Sequence, residues 1–231
     1  VRTMEELVRA RGTTLVRVGI SPHAPYSVSN ALFTASAAFA CEWRLPLATH
    51  VAESEDESHL VERGEGEFAD FLRGRGIAVA TRARSPIALL EHCGVLEADP
   101  LLIHCVRADA ADVRAIGARQ LGVAHCPASN AYFALGSSPV AELLRAGAHV
   151  GLGSDSMASN EGMDLLREAR LAAALQAERS RAAGAAAPIG ARAPDPIAAH
   201  RALALATIGG ARALRLDAEV GTLECAEQAD L

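Results

Sequence analysis

The chain has 231 residues, 50% hydrophobic and 22% charged, a balance that excludes a disordered or fibrous polypeptide and suits a buried core. A net charge of -6 and 3% aromatic residues offer neither the basic footprint nor the stacking rings of a nucleic-acid binder. No apolar run reaches the roughly 18 residues of a membrane-spanning helix, so neither nucleic acid nor membrane is expected as a partner.

Two further features of composition limit the chemistry. All 22 basic residues are arginine, which fits a GC-rich, alanine-heavy genome. It also means that no side chain can form a Schiff base, serve a P-loop, or carry the carbamate that bridges two metals. The five cysteines, Cys41, Cys93, Cys105, Cys126 and Cys225, are odd in number and form no C-x-x-C pair. That pattern points to reduced thiols in a cytoplasmic protein. The opening Val1-Arg2-Thr3-Met4 is not a signal peptide and has no initiator methionine.

Short apolar runs alternate with helical patterns along the chain. A strand is predicted over 14–20, then a helix over about 30–44 with Ser29 as its N-cap, then a strand over 46–51. Helical stretches follow near 54–63, 65–73 and 86–93, the last signalled by Ser85-Pro86. A third strand covers 101–105 and leads to a helix capped by Asp109. A fourth covers 122–126 and is followed by a loop and a helix near 139–146. A fifth covers 149–153 and precedes a helix near 162–180. An Ala/Pro-rich loop spans 182–196, and helices fill 196–214. Strands alternating with helices predict a parallel α/β sheet with right-handed crossovers. An open doubly wound sheet and part of a (β/α)8 barrel both satisfy the pattern.

Each predicted strand ends in a residue able to do chemistry: His23, His50, His104, His125 and, just past the fifth, Asp155. Barrel enzymes place function at the C-terminal ends of successive strands. His59, His92, His149 and His200 lack that placement and read as solvated or packed. Neutral imidazole suits Zn2+ or Fe2+. In Thr49-His50-Val51-Ala52-Glu53 a carboxylate follows the strand-end histidine by three residues, and a nearby carboxylate that is not a ligand could shuttle protons from a metal-held water. His104, one strand over, would hydrogen-bond the same water, and Asp155 would complete the metal shell. The rest of the acidic run Glu53-Ser54-Glu55-Asp56-Glu57 reads as a solvated helix start.

Taken in order, Ser21-Pro22-His23-Ala24-Pro25-Tyr26-Ser27, Thr49-His50-Val51-Ala52-Glu53, Ile103-His104-Cys105, His125-Cys126-Pro127-Ala128-Ser129-Asn130 and Gly151-Leu152-Gly153-Ser154-Asp155-Ser156 resemble the amidohydrolase superfamily. The branch is that of the chlorohydrolases and aminohydrolases, which includes S-adenosylhomocysteine/methylthioadenosine deaminases and aminofutalosine deaminases. Ala158-Ser159-Asn160, with Asp164 and Glu168, fits the same branch, and the resemblance runs from about residue 14 to 231.

That resemblance implies a (β/α)8 TIM barrel of the metal-dependent hydrolase type, with strands four to eight in this chain. Residues 1–216 would form the partial barrel, and 217–231 would begin the return to a small β-sandwich. It implies one divalent metal, Zn2+ or Fe2+, held by His50 and Asp155. Two further histidine ligands are expected upstream of Val1, because the family's His-x-His pair does not occur here. Glu53 would move protons, His104 would orient the attacking water, and Asp155 would act beside them. His23, Glu53 and Ser156 would contact substrate. His125 falls at a position that varies in the family and would be structural or line the substrate. Ser156 and Asn160 would also support the loop after the eighth strand.

The implied reaction is hydrolytic deamination of an aminated heterocycle, with an adenine nucleoside as substrate: aminofutalosine, which would place it in menaquinone synthesis, or S-adenosylhomocysteine/methylthioadenosine or adenosine. Guanine deamination and chlorotriazine hydrolysis use the same machinery. The full-length protein would be a homo-oligomer. This polypeptide alone, lacking three barrel units, would bind metal weakly and be inactive; a non-catalytic binding protein is the reading from another class. A serine hydrolase lacks its Gly-x-Ser-x-Gly elbow, and Gly151-x-Gly153 lacks the third glycine of a dinucleotide site.

Overall fold

The computed structural model describes residues 6, 16–186, 197–225, 227 and 228. The elements in chain order are α1 (Asn30–Trp43), β1 (Ala48–Val51), α2 (Glu55–Arg63), α3 (Glu67–Gly74), α4 (Pro86–His92), a 3-10 turn (Leu96–Ala98), β2 (Leu101–His104), α5 (Ala110–Ala118), β3 (Gly122–His125), α6 (Pro127–Tyr132), α7 (Val140–Ala146), β4 (His149–Leu152), α8 (Leu165–Ala186), α9 (Ala199–Ala206) and α10 (Ile208–Ala213). The four strands form one sheet in the order β1-β2-β3-β4. Every pairing is parallel, with Ala48 opposite Leu101, Leu101 opposite Gly122 and Gly122 opposite His149. Parallel neighbours joined by helical crossovers are the repeating unit of a (β/α) barrel.

The strand predicted over 14–20 is reduced, within the described residues, to a single parallel bridge between Ile20 and Leu47. Ile20 donates to Pro46 O at 2.9 Å, and Ala48 donates to Ile20 O at 3.0 Å. The next ladder donors in either direction would be Pro22 and Pro46, which have no N–H. The chain instead shifts by one residue, and His50 N donates to His23 O at 2.9 Å. This shift brings His23 beside the end of β1.

Local signals set most of the helix boundaries. Ser29 accepts from Leu32 N at 3.2 Å and Ser85 accepts from Ala88 N at 3.0 Å, each satisfying an orphan donor of a first turn. Asp109 and Asp112 form a reciprocal capping box on α5. The helix predicted from 162 starts at Leu165, because Asp164 Oδ1 takes the N–H groups of Leu166 and Arg167. Helix α6 occupies what reads from sequence as loop, and Pro127 at its first turn marks the start. Residues 182–186, predicted as loop, extend α8; 187–196 lie outside the described residues.

The core packs Phe33, Ile87, Leu89, Leu90, Ile116 and Leu143 from the helices against Val51, Leu102, Val123 and Val150 from the strands. Glycines admit the C-terminal helix. A Cβ at Gly122 would meet Ala213 O at 2.2 Å, and one at Gly151 would meet Gly210 Cα at 2.6 Å. Arg215 then pairs with Asp99 and donates to Gln120 O at 2.8 Å. Arg17 pairs with Glu219. Residues 217–222 form turns and bends. Among the described residues no helix is long and apolar enough to cross a membrane.

Candidate metal centre

The C-terminal ends of β1, β2 and β4 converge. One ligand atom from each of His50, His104 and Asp155 lies within 4.8 Å of the other two. His104 Nε2 is 3.6 Å from Glu53 Oε1 and 4.0 Å from Asp155 Oδ2. The His50 ring lies 5.1 Å from that of His23 and 5.3 Å from that of His104. His23, His50, Glu53, His104 and Asp155 therefore sit in one cluster. Ser156 is exposed, and its Oγ accepts from Ala158 N in its own turn.

Backbone geometry at the strand ends creates this convergence. His104 pairs in register with Val51, not with His50, so simple strand alternation would separate the two rings. Positive φ at His104 (75°) and Cys105 (48°) ends the alternation there. Ala52 (51°) and Asp155 (57°) are also left-handed. Such conformations cost about 1–2 kcal/mol for residues with a Cβ and persist where surrounding bonds hold them.

Hydrogen bonds orient the rings. His50 Nδ1 lies 3.2 Å from His23 O. A carbonyl only accepts, so Nδ1 carries the proton and the Nε2 lone pair is free to bind. His104 Nδ1 donates to Asn130 Oδ1 at 2.9 Å, which turns Nε2 toward Glu53 and Asp155. That Nε2 is buried without a partner, and a buried polar atom of this kind calls for a ligand. A divalent cation fits the cluster: the His50 imidazole and the Asp155 carboxylate suit Zn2+ or Fe2+, with His104 Nε2 beside them.

The carboxylates are held separately. Burial pushes the Asp155 carboxyl upward, but hydrogen bonds from the Ser129 hydroxyl and the Ser156 N–H, together with His104, win and hold it below the usual range. Ser159 Oγ adds a bond to Asp155 Oδ2 at 3.2 Å. The loop carrying Asp155 is fixed by Asn160, whose amide donates to Ser154 O at 2.8 Å and to Glu168 Oε1 at 2.7 Å. Buried Glu168 also takes Ala128 N–H at 3.0 Å and so joins the β3 and β4 loops. Tyr26 stacks on Phe68 and meets His23 edge-on. Burial and the negative charges of Glu53, Glu57 and Asp155 push its phenol up to about 12.

Glu57 departs from the sequence reading. It was expected on a solvated helix face, yet it is fully buried. Its carboxylate takes the N–H groups of Ala52 and Glu53, each at 2.9 Å. Burial raises its pKa to about 7 against the pull of those bonds. The signal in the sequence was the capping-box pattern Ser54-x-x-Glu57: Ser54 Oγ accepts from Glu57 N at 3.1 Å. His125 is fully buried with both ring nitrogens unpartnered. Burial and the neighbouring His104 lower its pKa to about 3, so it is neutral.

Comparisons with known proteins agree with this architecture. The chain is 35% identical over 212 residues to the 5-methylthioadenosine/S-adenosylhomocysteine deaminase of Moorella thermoacetica, covering 92% of this chain and 43% of that protein. It is 32% identical to the 5'-deoxyadenosine deaminase of Methanothermobacter thermautotrophicus, covering 88% and 41%. An adenosine deaminase from Xanthomonas campestris with bound zinc superposes with a TM-score of 0.76 at 29% identity, covering 99% of this chain and 46% of that one. A zinc-complexed atrazine chlorohydrolase from Arthrobacter aurescens gives 0.76 at 25% identity, covering 99% and 45%. The chain thus spans less than half the length of these relatives. The amidohydrolase family profile matches residues 1–231, and with the parallel strands and their converging ends this establishes that the chain belongs to the amidohydrolase family.

Proposed function

We propose that the protein containing this chain is a metal-dependent hydrolytic deaminase of 5'-substituted adenine nucleosides. The observation that carries the reading is the unpartnered His104 Nε2 facing Glu53 and Asp155 beside His50. The names of the relatives, which join methylthioadenosine, S-adenosylhomocysteine and 5'-deoxyadenosine, supply the substrate class.

A divalent ion, zinc first and Fe2+ as the alternative, would be held by His50 and Asp155 and would supply Lewis-acid activation of water at neutral pH. Glu53 takes a proton from the attacking water and delivers it to a ring nitrogen of the adenine. The water oxygen bonds to the amino-bearing carbon. A further proton transfer through Glu53 lets the amino group leave as ammonia, and a carbonyl remains. His104 Nε2, facing the cluster, orients the water. His23, on the open side of the cluster, and Ser156 contact the substrate. The neutral Tyr26 phenol gives that side a hydrogen-bonding wall without adding charge. Residues 217–231 lead toward a second, smaller domain, and the whole protein works as a cytoplasmic homo-oligomer.

The test is ammonia release by the full-length, metal-loaded protein. Turnover of 5'-methylthioadenosine, S-adenosylhomocysteine or 5'-deoxyadenosine, with no ammonia from guanine and no chloride from a chlorotriazine, is the expected result. Absence of ammonia from every adenine nucleoside at full metal occupancy overturns the reading. Chloride release instead would favour the chlorohydrolase chemistry of the second structural relative.

A further inference from the structure

Glu53 follows a left-handed residue at the end of β1. Ala52, between the end of β1 and Glu53, is left-handed at φ 51° and wholly buried. Its carbonyl accepts from Arg107 N at 2.7 Å. Its N–H and that of Glu53 both point into the Glu57 carboxylate, one to each oxygen, at 2.9 Å. Ser54, the N-cap of α2, takes Glu57 N–H, and Ser58 Oγ donates to Ser54 O at 3.3 Å. The first turn of α2 is thereby folded back on the strand end. One carboxyl group takes both adjacent N–H groups, one on each oxygen, and Glu57 and Ala52 are both fully buried.

We propose that Glu57 is a positioning residue for proton transfer: it fixes the backbone of Ala52 and Glu53 so that the Glu53 carboxylate stays within reach of His104 Nε2 and the attacking water. The inference rests on Glu53 as the proton carrier. Glu57 is wholly buried and acts on proton transfer through Glu53. It closes the turn between two parts of one catalytic element, a task that a helix cap does not need. An ordinary capping glutamate would return to the N-cap's own N–H; this one reaches past Ser54 to the two residues before it.

Glu57→Gln is close to isosteric, but its single amide oxygen can take only one N–H, and its NH2 faces the other. Misplacement of a reacting group by a fraction of an ångström to 1 Å costs up to about 100-fold in rate. In the full-length, metal-loaded protein, Glu57→Gln is expected to lower kcat by about 10- to 100-fold. KM should stay within about threefold and metal content at the wild-type value. The decisive arm is the double variant. Added to Glu53→Gln, Glu57→Gln should cost less than about twofold more, because its effect passes through a residue already disabled.

Full additivity in the double variant, or unchanged kcat in Glu57→Gln, overturns the proposal. If Glu53→Gln itself keeps wild-type turnover, the proton-carrier reading fails instead. Should Glu57→Gln not fold, the same cycle with Glu57→Asp decides, since its shorter arm cannot span both N–H groups. Hydrogen exchange in the unmodified, metal-free protein gives a readout independent of turnover. The Ala52 and Glu53 amides should exchange about 100-fold or more slower than unbonded loop amides; exchange at the loop rate overturns the clamp.

Discussion

His125→Leu is expected to stabilise the protein, most of all in acid. The neutral imidazole has one N–H and one lone pair, and both ring nitrogens are buried with no partner. A buried polar atom left unpaired costs about 1–3 kcal/mol, so an apolar side chain of similar bulk should gain about 2 kcal/mol near pH 7.5. The pH dependence follows from the lowered pKa of about 3 against 6.5 for the free side chain. Below pH 6.5 the unfolded chain binds a proton that the folded protein refuses, so stability is full above 6.5 and falls as the pH drops toward 3. From this one group the loss is about 1.4 kcal/mol at pH 5.5 and about 2.7 kcal/mol at pH 4.5. The gap between His125→Leu and wild type should therefore widen from about 2 to about 3.5 kcal/mol between pH 7.5 and 5.5. Urea midpoints of the full-length protein at the two pH values measure it. A variant that is less stable at pH 7.5, or a gap that does not grow in acid, refutes the reasoning and would give His125 a ligand or partner in solution.

Two other substitutions probe the scaffold and the site. Gly122→Ala would drive a Cβ to 2.2 Å from Ala213 O, a backbone atom of the C-terminal helix, and should cost about 1–3 kcal/mol as overpacking, read as a lowered urea midpoint. His50→Ala should bring metal content well below one equivalent while leaving the sheet intact, since the side chain is a partly exposed strand-end group; unchanged metal content by elemental analysis would remove it from the ligand set.

What the sequence disclosed and what it hid follow a physical division. His23, His50, His104 and Asp155 were legible because strand-end placement is a local, periodic signal that a parallel fold repeats. Ser29, Ser85-Pro86 and Asp109 were legible because a cap is settled within four residues. The first strand was overcalled: its apolar run is genuine, but pairing depends on a neighbour, and the two prolines stop the ladder on both sides of Ile20. Glu57 was read past for the converse reason, and Glu168, picked out by its motif, had no role assigned to it. An acidic residue on a helix looks solvated until tertiary packing buries it against backbone N–H groups, and for Glu168 the partners are 40 and 8 residues away in sequence. Asn130, which fixes the proton on His104, depends on an approach between β2 and α6 that spacing does not encode.

The central claim is the location of the metal. A zinc-edge anomalous map from crystals of the full-length protein tests it most directly. The account predicts one strong peak within ligand distance, about 2.0–2.2 Å, of a His50 nitrogen and an Asp155 oxygen, on the side that Glu53 and His104 Nε2 face. A fully occupied zinc away from His50 and Asp155 would contradict it, as would a zinc-loaded protein with no peak at this cluster.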